Sequence, residues 1–180
     1  YLFSPSDFTP IAYELSVLVL PGVGSFSSAS IALRSAGFFS FFNSLIGNPN
    51  VLIIGICLGM QLLSTSGYEG GFSNGLNIIP GSVVPLTTSG EMIMGWQPLI
   101  NISPLLKNMS PFNIMEPYFY FAHSFKFSID DPSLCLAYSD YLGYPSIVFN
   151  YNFLGLQFHP ELSQRSGHFL VSSFLEYFFK

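Results

Sequence analysis

Apolar residues in the first half of this chain fall into short runs of two kinds. Residues 17–20 (VLVL) and 51–55 (VLIIG) are continuous apolar runs bounded by Pro, Gly and Asn, a pattern that predicts buried strands. Residues 27–46 carry apolar side chains at helical spacing, with Gly37 interrupting them, and residues 58–66 predict a second helix directly after the second strand. Alternation of strand and helix predicts parallel strands joined by crossover helices.

The second half is rich in β-forming residues separated by turn residues. It predicts strands within four stretches, residues 118–127, 134–138, 146–151 and 153–159. An amphipathic helix over residues 167–179 closes the chain. We therefore expect an α/β fold with a mostly parallel central sheet and an antiparallel extension, in one domain over residues 1–180.

Composition and charge exclude several classes of protein. Of 180 residues, 49% are hydrophobic and 8% are charged, which excludes a disordered chain. The longest apolar stretch, residues 51–63, is shorter than the roughly 18–20 residues that a membrane-spanning helix needs. The net charge of −5 with only five Lys and Arg argues against nucleic-acid binding. Two cysteines give neither a disulfide framework nor a metal-binding spacing, so we expect a reduced, cytoplasmic protein.

Cys57 lies where the second predicted strand turns into a helix. Gly55 and Gly59 stand two residues to either side of it, the spacing of a nucleophile elbow in which neighbouring backbone must pass close to the turn. The following helix would favour a thiolate, and the backbone N–H of Leu58 would face a developing oxyanion. The alternative is a small apolar side chain in a core strand, and this motif alone does not decide between the two.

A cysteine nucleophile needs a base and a group that orients the base. His159 and Glu161, two residues apart around Pro160 at the end of an apolar strand, supply both. Gln61 shares a helix face with Cys57 and could meet the polar end of a substrate, or it could be an ordinary surface glutamine. The loop at residues 20–26 (LPGVGSF) lacks the Lys of a P-loop and the third Gly of a dinucleotide site, so presenting backbone N–H groups to an oxyanion suits it better.

Taken together, these motifs resemble the class I glutamine amidotransferases. Within that class the chain most resembles the glutaminase subunits of imidazole glycerol phosphate synthases, on five stretches in the same order: LPGVGSF, GICLGMQLL, MGWQPL, YFAHSF and GLQFHPELS. The resemblance implies a three-layer, flavodoxin-like fold and a glutaminase that uses no cofactor and no metal. It also implies that the first strand of the family is absent from this chain.

The resemblance assigns roles to individual residues. It implies a catalytic triad of Cys57, His159 and Glu161. It implies oxyanion donors at four positions: Gly22, Val23, Gly24 and Leu58. It implies that the glutamine substrate is held at four more: Gln61, His123, Ser124 and Phe125.

The resemblance also implies a partner. Ammonia would pass to a (β/α)₈-barrel cyclase, in a heterodimer that makes imidazole glycerol phosphate and an aminoimidazole carboxamide ribotide for histidine biosynthesis. Trp96 and Leu162 fall at the expected interface, but relatives usually carry lysine at the position of Leu162. Two other functions stay open: a related amidotransferase with another ammonia acceptor, such as a surface sugar, and a non-catalytic interaction subunit.

Overall fold

The structure is a computed structural model that describes residues 15–109 and 118–180, together with Pro5. Its strands are β1 (Ser16–Leu20), β2 (Val51–Ile56), β3 (Ser66–Gly67), β4 (Ser73–Asn74), β5 (Gly81–Pro85), β6 (Ile93–Ile100), β7 (Tyr118–His123), β8 (Phe125–Ile129), β9 (Cys135–Ser139), β10 (Pro145–Asn150) and β11 (Phe153–Leu156). Its helices are α1 (Phe26–Ser35), α2 (Phe38–Ser44), α3 (Leu58–Gln61), α4 (Pro104–Asn108) and α5 (Gln164–Phe178).

The central sheet has seven strands in the order β1-β2-β11-β10-β9-β6-β7. Strand β2 pairs in parallel with β1 on one side and with β11 on the other. The remaining strands pair antiparallel, so the predicted α/β class and its antiparallel extension are confirmed, with the extension forming the larger part of this sheet in the described residues. A second sheet has the order β4-β3-β5-β8.

Helices cover both faces of the central sheet. Along β2 the side chains alternate: Leu52 and Ile54 pack in one cluster with residues of α5, while Val51 and Ile53 pack in another with residues of α2. Strand β2 is therefore buried on both faces, which is why it reads as a continuous apolar run rather than an alternating one. This arrangement of helix, sheet and helix is the three-layer architecture expected from the sequence.

The two predicted helices of the first half are shorter than expected. Residues 27–46 form two helices because Gly37 takes a left-handed conformation with φ of 81°. The helix expected over residues 58–66 is the single turn α3. It stops because the carbonyls of Leu62, Leu63 and Ser64 accept hydrogen bonds from the backbone of residues 76–79 instead of from a continuing helix.

The stretch 118–127, expected as one strand, divides at Ser124. Strand β7 belongs to the central sheet and β8 to the second sheet, so Ser124 lies where the chain passes between them. The expectation about the family's first strand concerns the beginning of the chain, which lies almost entirely outside the described residues. Within residues 15–109 and 118–180, no helix is both long and apolar enough to cross a membrane.

Candidate active site

The parallel strands bring three predicted segments to one edge of the sheet. In register, Gly55 of β2 lies beside Leu20 of β1 and beside Gly155 of β11. Because parallel strands end at a common edge, the loop that follows β1, the turn at Cys57 and the segment that leads to His159 all emerge together. A hydrogen bond of 2.7 Å from the Cys57 N–H to the Leu156 carbonyl fastens this edge.

Cys57 occupies a strained turn between β2 and α3. Its φ is 52° and its ψ is −107°, a conformation that costs a residue with a side chain on the order of 1–3 kcal/mol. A Cβ atom at Gly55 would lie 2.6 Å from the carbonyl oxygen of Gly59, and one at Gly59 would overlap the carbonyl oxygen of Leu20. Both glycines are therefore required by close backbone contacts, as the elbow pattern predicts.

His159 is held by hydrogen bonds at both its backbone N–H and its backbone carbonyl. Its N–H donates to the Tyr120 carbonyl at 2.8 Å, and its carbonyl accepts a bond of 2.6 Å from the Ser163 hydroxyl, which also accepts from the Tyr120 N–H at 2.9 Å. The Nδ1 atom of its ring lies 2.8 Å from Oε1 of Glu161. Glu161 lies in a 3₁₀ turn over Pro160–Leu162 rather than in an extended segment, and its pairing with Nδ1 leaves Nε2 of His159 as the ring nitrogen that Glu161 does not engage.

A pocket of about 380 Å³ opens between these elements. Its lining includes eleven of the thirteen predicted site residues: Gly22, Val23, Gly24, Cys57, Leu58, Gln61, His123, Ser124, Phe125, His159 and Leu162. Glu161 does not line it because it stands behind the His159 ring, and Trp96 lies on β6 outside it. Its size suits a small ligand such as an amino acid.

The pocket keeps the Cys57 thiol protonated in the absence of substrate. Its pKa is raised to about 11, chiefly by burial and to a smaller extent by the negative charges of Glu69 and Glu161, while a hydrogen bond from the Leu58 backbone opposes the change. Attack by sulfur therefore needs a base that accepts the thiol proton as the reaction proceeds. His159, the base predicted from the sequence, lines the same pocket.

Gln61 and His123, which the sequence predicts to bind the substrate, have side chains that are hydrogen-bonded to other residues of the protein. The Nε2 atom of Gln61 donates to the Phe125 carbonyl at 2.9 Å and to Oε1 of Gln157 at 3.2 Å. The buried ring of His123 contacts the Phe125 carbonyl through Nδ1 at 2.9 Å and the Tyr144 hydroxyl through Nε2 at 3.1 Å. Burial lowers its pKa to about 4, so it is neutral. Their substrate roles stay predictions.

Glu69 and Gln157 are site residues that sequence reasoning missed. Glu69 is half-buried, and among the described residues that line the pocket it carries the only carboxylate. Its Oε2 accepts a bond of 3.1 Å from the Phe26 N–H at the start of α1. Gln157 is fully buried beside Cys57. The only sequence signals for them were an acidic residue in a glycine-rich loop and an amide two positions before His159.

The two predicted interface residues are exposed near the pocket. Trp96 is 45% exposed and contacts Tyr120 edge-on, with ring centroids 6.0 Å apart. Leu162 is 52% exposed and lines the pocket. Met94 is exposed on the same face of β6 as Trp96, because alternate residues of a strand share a face, and the exposed Met92 lines the pocket. An apolar surface thus lies beside the pocket.

Fold and site together define an α/β protein with a cysteine on a strained strand-to-helix turn and a histidine, paired with a carboxylate, at the same pocket. Comparison with known proteins is specific: the family model described as "Glutamine amidotransferase class-I" matches residues 9–177. The chain belongs to this family.

Curated relatives agree with this assignment. The chain is 38% identical to "Imidazole glycerol phosphate synthase subunit HisH 1" of Prochlorococcus marinus, over 95% of this chain and 82% of the relative. It is 38% identical to "Imidazole glycerol phosphate synthase subunit HisH" of Geobacillus sp., over 87% of this chain and 76% of that protein. Among solved structures, one described as "Crystal structure of glutamine amidotransferase" has a TM-score of 0.66 at 16% identity, covering 96% of this chain and 84% of that one.

Proposed function

We propose that this protein is the glutaminase subunit of an imidazole glycerol phosphate synthase, which hydrolyses glutamine and delivers ammonia for histidine biosynthesis. The observation that carries the proposal is the single pocket that joins the strained Cys57, the His159 ring held by Glu161, and the loop of residues 22–24. The subunit names of the curated relatives supply the pathway.

The reaction proceeds through a thioester. Sγ of Cys57 attacks the amide carbon of glutamine as its proton passes to Nε2 of His159, and the carbonyl electron pair moves to oxygen. The backbone N–H of Leu58 and those of the loop at residues 22–24 stabilise this oxyanion. The intermediate collapses when His159 returns the proton to the leaving nitrogen, which departs as ammonia. Water then attacks the thioester with His159 as base, and glutamate leaves as the Cys57 sulfur is restored.

The walls of the pocket provide for the amino-acid end of the substrate. Glu69 is a carboxylate placed to pair with the α-ammonium group. Ser124 and Phe125, at the passage from β7 to β8, present polar backbone and side-chain groups to the α-carboxylate. No step requires a metal or an organic cofactor, since proton transfer and nucleophilic attack both come from side chains of this chain.

The partner is a (β/α)₈-barrel cyclase bound as a heterodimer, so that the complete enzyme is an amidotransferase and a lyase. Support comes from the apolar surface around Met94, Trp96 and Leu162, because large exposed apolar patches mark interaction sites. Both cysteines are free and buried, which is consistent with a cytoplasmic protein.

The proposal is tested by measuring glutamate release from glutamine, with and without a cyclase barrel and its nucleotide ligand, for the wild-type protein and Cys57→Ala. Activity that the barrel stimulates and that Cys57→Ala lacks is the expected result. Cys57-dependent activity that ignores the barrel would favour another ammonia acceptor, which the leucine at position 162 also favours. Absence of glutamate release with the barrel bound would favour a non-catalytic interaction subunit.

A further inference from the structure

Gln157 is a fully buried amide between the two halves of the site. It follows Leu156, the last residue of β11, and precedes His159 by two positions, so it lies where the parallel strands β2 and β11 end side by side. Its Nε2 is 3.9 Å from Sγ of Cys57, and its Oε1 is 3.2 Å from Nε2 of Gln61. Its side chain therefore links the nucleophile to the residue one helical turn beyond it.

The orientation of this amide is fixed by its neighbours. Gln61 donates one N–H to the Phe125 carbonyl and the other to Gln157, so the oxygen of Gln157 must face Gln61. The opposite orientation would set two amide nitrogens against each other. As a consequence, an N–H of Gln157 is held toward the sulfur of Cys57.

Such a donor discriminates between the two states of the sulfur. A thiolate is a charged acceptor and a thiol sulfur is a weak one, so an N–H directed at the sulfur stabilises the ionised form. The helix that follows Cys57 is a single turn, so its dipole adds little to that stabilisation. Apart from the Leu58 backbone, Gln157 is the donor to the sulfur that the described residues supply.

We propose that Gln157 is a positioning residue for the glutaminase reaction: its amide, held by Gln61, directs an N–H at Cys57 and stabilises the sulfur as it loses its proton to His159. This role rests on the proposed function for its consequence in turnover, but its effect on the thiol is measurable without turnover.

Other titratable groups around the sulfur are common to every variant in the test. The groups that face Cys57 from the packed elements are Glu69, Glu161, His159, His123 and Tyr144. None of them is changed, and Gln157→Met adds no charge, so its effect on the ionisation of Cys57 reports loss of the N–H; Gln157→Glu adds a carboxyl group whose charge would also oppose ionisation.

The experiment measures the rate of alkylation of Cys57 by iodoacetamide between pH 6 and 11, quantified on the peptide that contains it. Gln157→Met removes the donor at nearly constant volume. Gln157→Glu keeps an oxygen to accept from Gln61 but replaces the N–H with an acidic oxygen. Gln164→Met, at the exposed start of α5, is the matched control, and alkylation of the buried Cys135 is the internal reference for folding.

For Gln157→Met and Gln157→Glu, we expect the alkylation profile of Cys57 to move to higher pH by about one unit or more. This shift corresponds to roughly tenfold less thiolate at a given pH, the effect of losing a hydrogen bond to a charged group. Gln164→Met and the Cys135 peptide should keep the wild-type profile. In glutamate release, kcat should fall more than KM rises, because the contact strengthens as charge develops.

An unchanged Cys57 profile in a folded Gln157→Glu protein would overturn the proposal, since a purely structural amide needs only the oxygen that this variant retains. If Gln157→Met does not fold, the amide serves the fold and the proposal fails. The shift in alkylation without any glutamate release by the wild type would refute the proposed function and leave the role of Gln157 at the thiol intact.

Discussion

The charge of Glu69 should determine how strongly the protein holds the α-ammonium group of glutamine. The perturbation is Glu69→Gln, which removes the charge and leaves an oxygen to accept from the Phe26 N–H, so the start of α1 stays capped. Glu69→Gln also removes one of the negative charges that raise the pKa of Cys57. Loss of the negative charge at position 69 should therefore weaken binding of glutamine without slowing the chemical step.

The magnitude follows from the half-buried position of the carboxylate. Exposed ion pairs contribute about 0–1 kcal/mol, and breaking a buried one costs about 3–5 kcal/mol. A pair in this half-open pocket should lie between them, at about 1–2 kcal/mol, which is roughly a 5- to 30-fold rise in KM. We expect kcat to stay within about twofold of the wild type, because the pair is the same in substrate and transition state.

The assay compares glutamine with an analogue that lacks the α-amino group, using glutamate or glutarate release with the barrel bound. The wild type should prefer glutamine by the factor above, and Glu69→Gln should treat the two substrates nearly alike. Glu91→Gln, an exposed acidic position outside the pocket, is the matched control and should keep the wild-type preference. Full discrimination by Glu69→Gln would refute the reasoning, because the ammonium would then be recognised elsewhere.

Three further predictions concern stability. Cys57→Gly should abolish glutamate release yet raise the free energy of unfolding by about 1 kcal/mol, measured by denaturant titration, because glycine accepts a φ of 52° without strain. Gly59→Ala should lower it by about 3 kcal/mol or more, since the added methyl group would overlap the carbonyl of Leu20; a fully stable variant would contradict that close contact. His123 has a pKa lowered to about 4 by burial, so its contribution to stability is intact above the unfolded pKa of about 6.5 and is lost as the pH falls toward 4. Between pH 7 and pH 4 the wild type should therefore lose about 2–3 kcal/mol more than His123→Gln, and equal losses would show that the ring is not held neutral.

Local sequence was enough to predict the tight turn at Cys57 and the pairing of His159 with Glu161, because much of what fixes them is local. Gly55 is required by the backbone of Gly59, four residues further on, whereas Gly59 is required by Leu20 on the neighbouring strand. His159 and Glu161 are only two residues apart, so their side chains can pair whether the segment between them is extended or forms a turn. The continuous apolar run of β2 is typical of a strand that is buried on both faces of its sheet.

Features set by distant residues were not predictable in the same way. The length of α3 is decided by residues 76–79, whose N–H groups take the carbonyls that a longer helix would use. Glu69 enters the site through a bond to Phe26, 43 positions away in the chain. Gln157 enters the site through contacts with Gln61 and Cys57, which are 96 and 100 positions away in the chain. Propensity and periodicity carry no signal for such contacts.

The break between β7 and β8 shows how the fold supplies what the site requires. Phe125 lies opposite Pro85 in the second sheet, at a position of the antiparallel ladder where the two residues exchange no hydrogen bond because the flanking bond runs from the Leu86 N–H to the Ser124 carbonyl, so the Phe125 carbonyl points away from β5. That carbonyl instead accepts from both Gln61 and His123, at 2.9 Å each. Because it is an acceptor only, Nδ1 of His123 must carry the ring proton and Nε2 must accept from the Tyr144 hydroxyl. One carbonyl that points out of the strand ladder thus fixes the amide chain that leads to Cys57 and the tautomer of the neighbouring His123, whose pKa is lowered by burial.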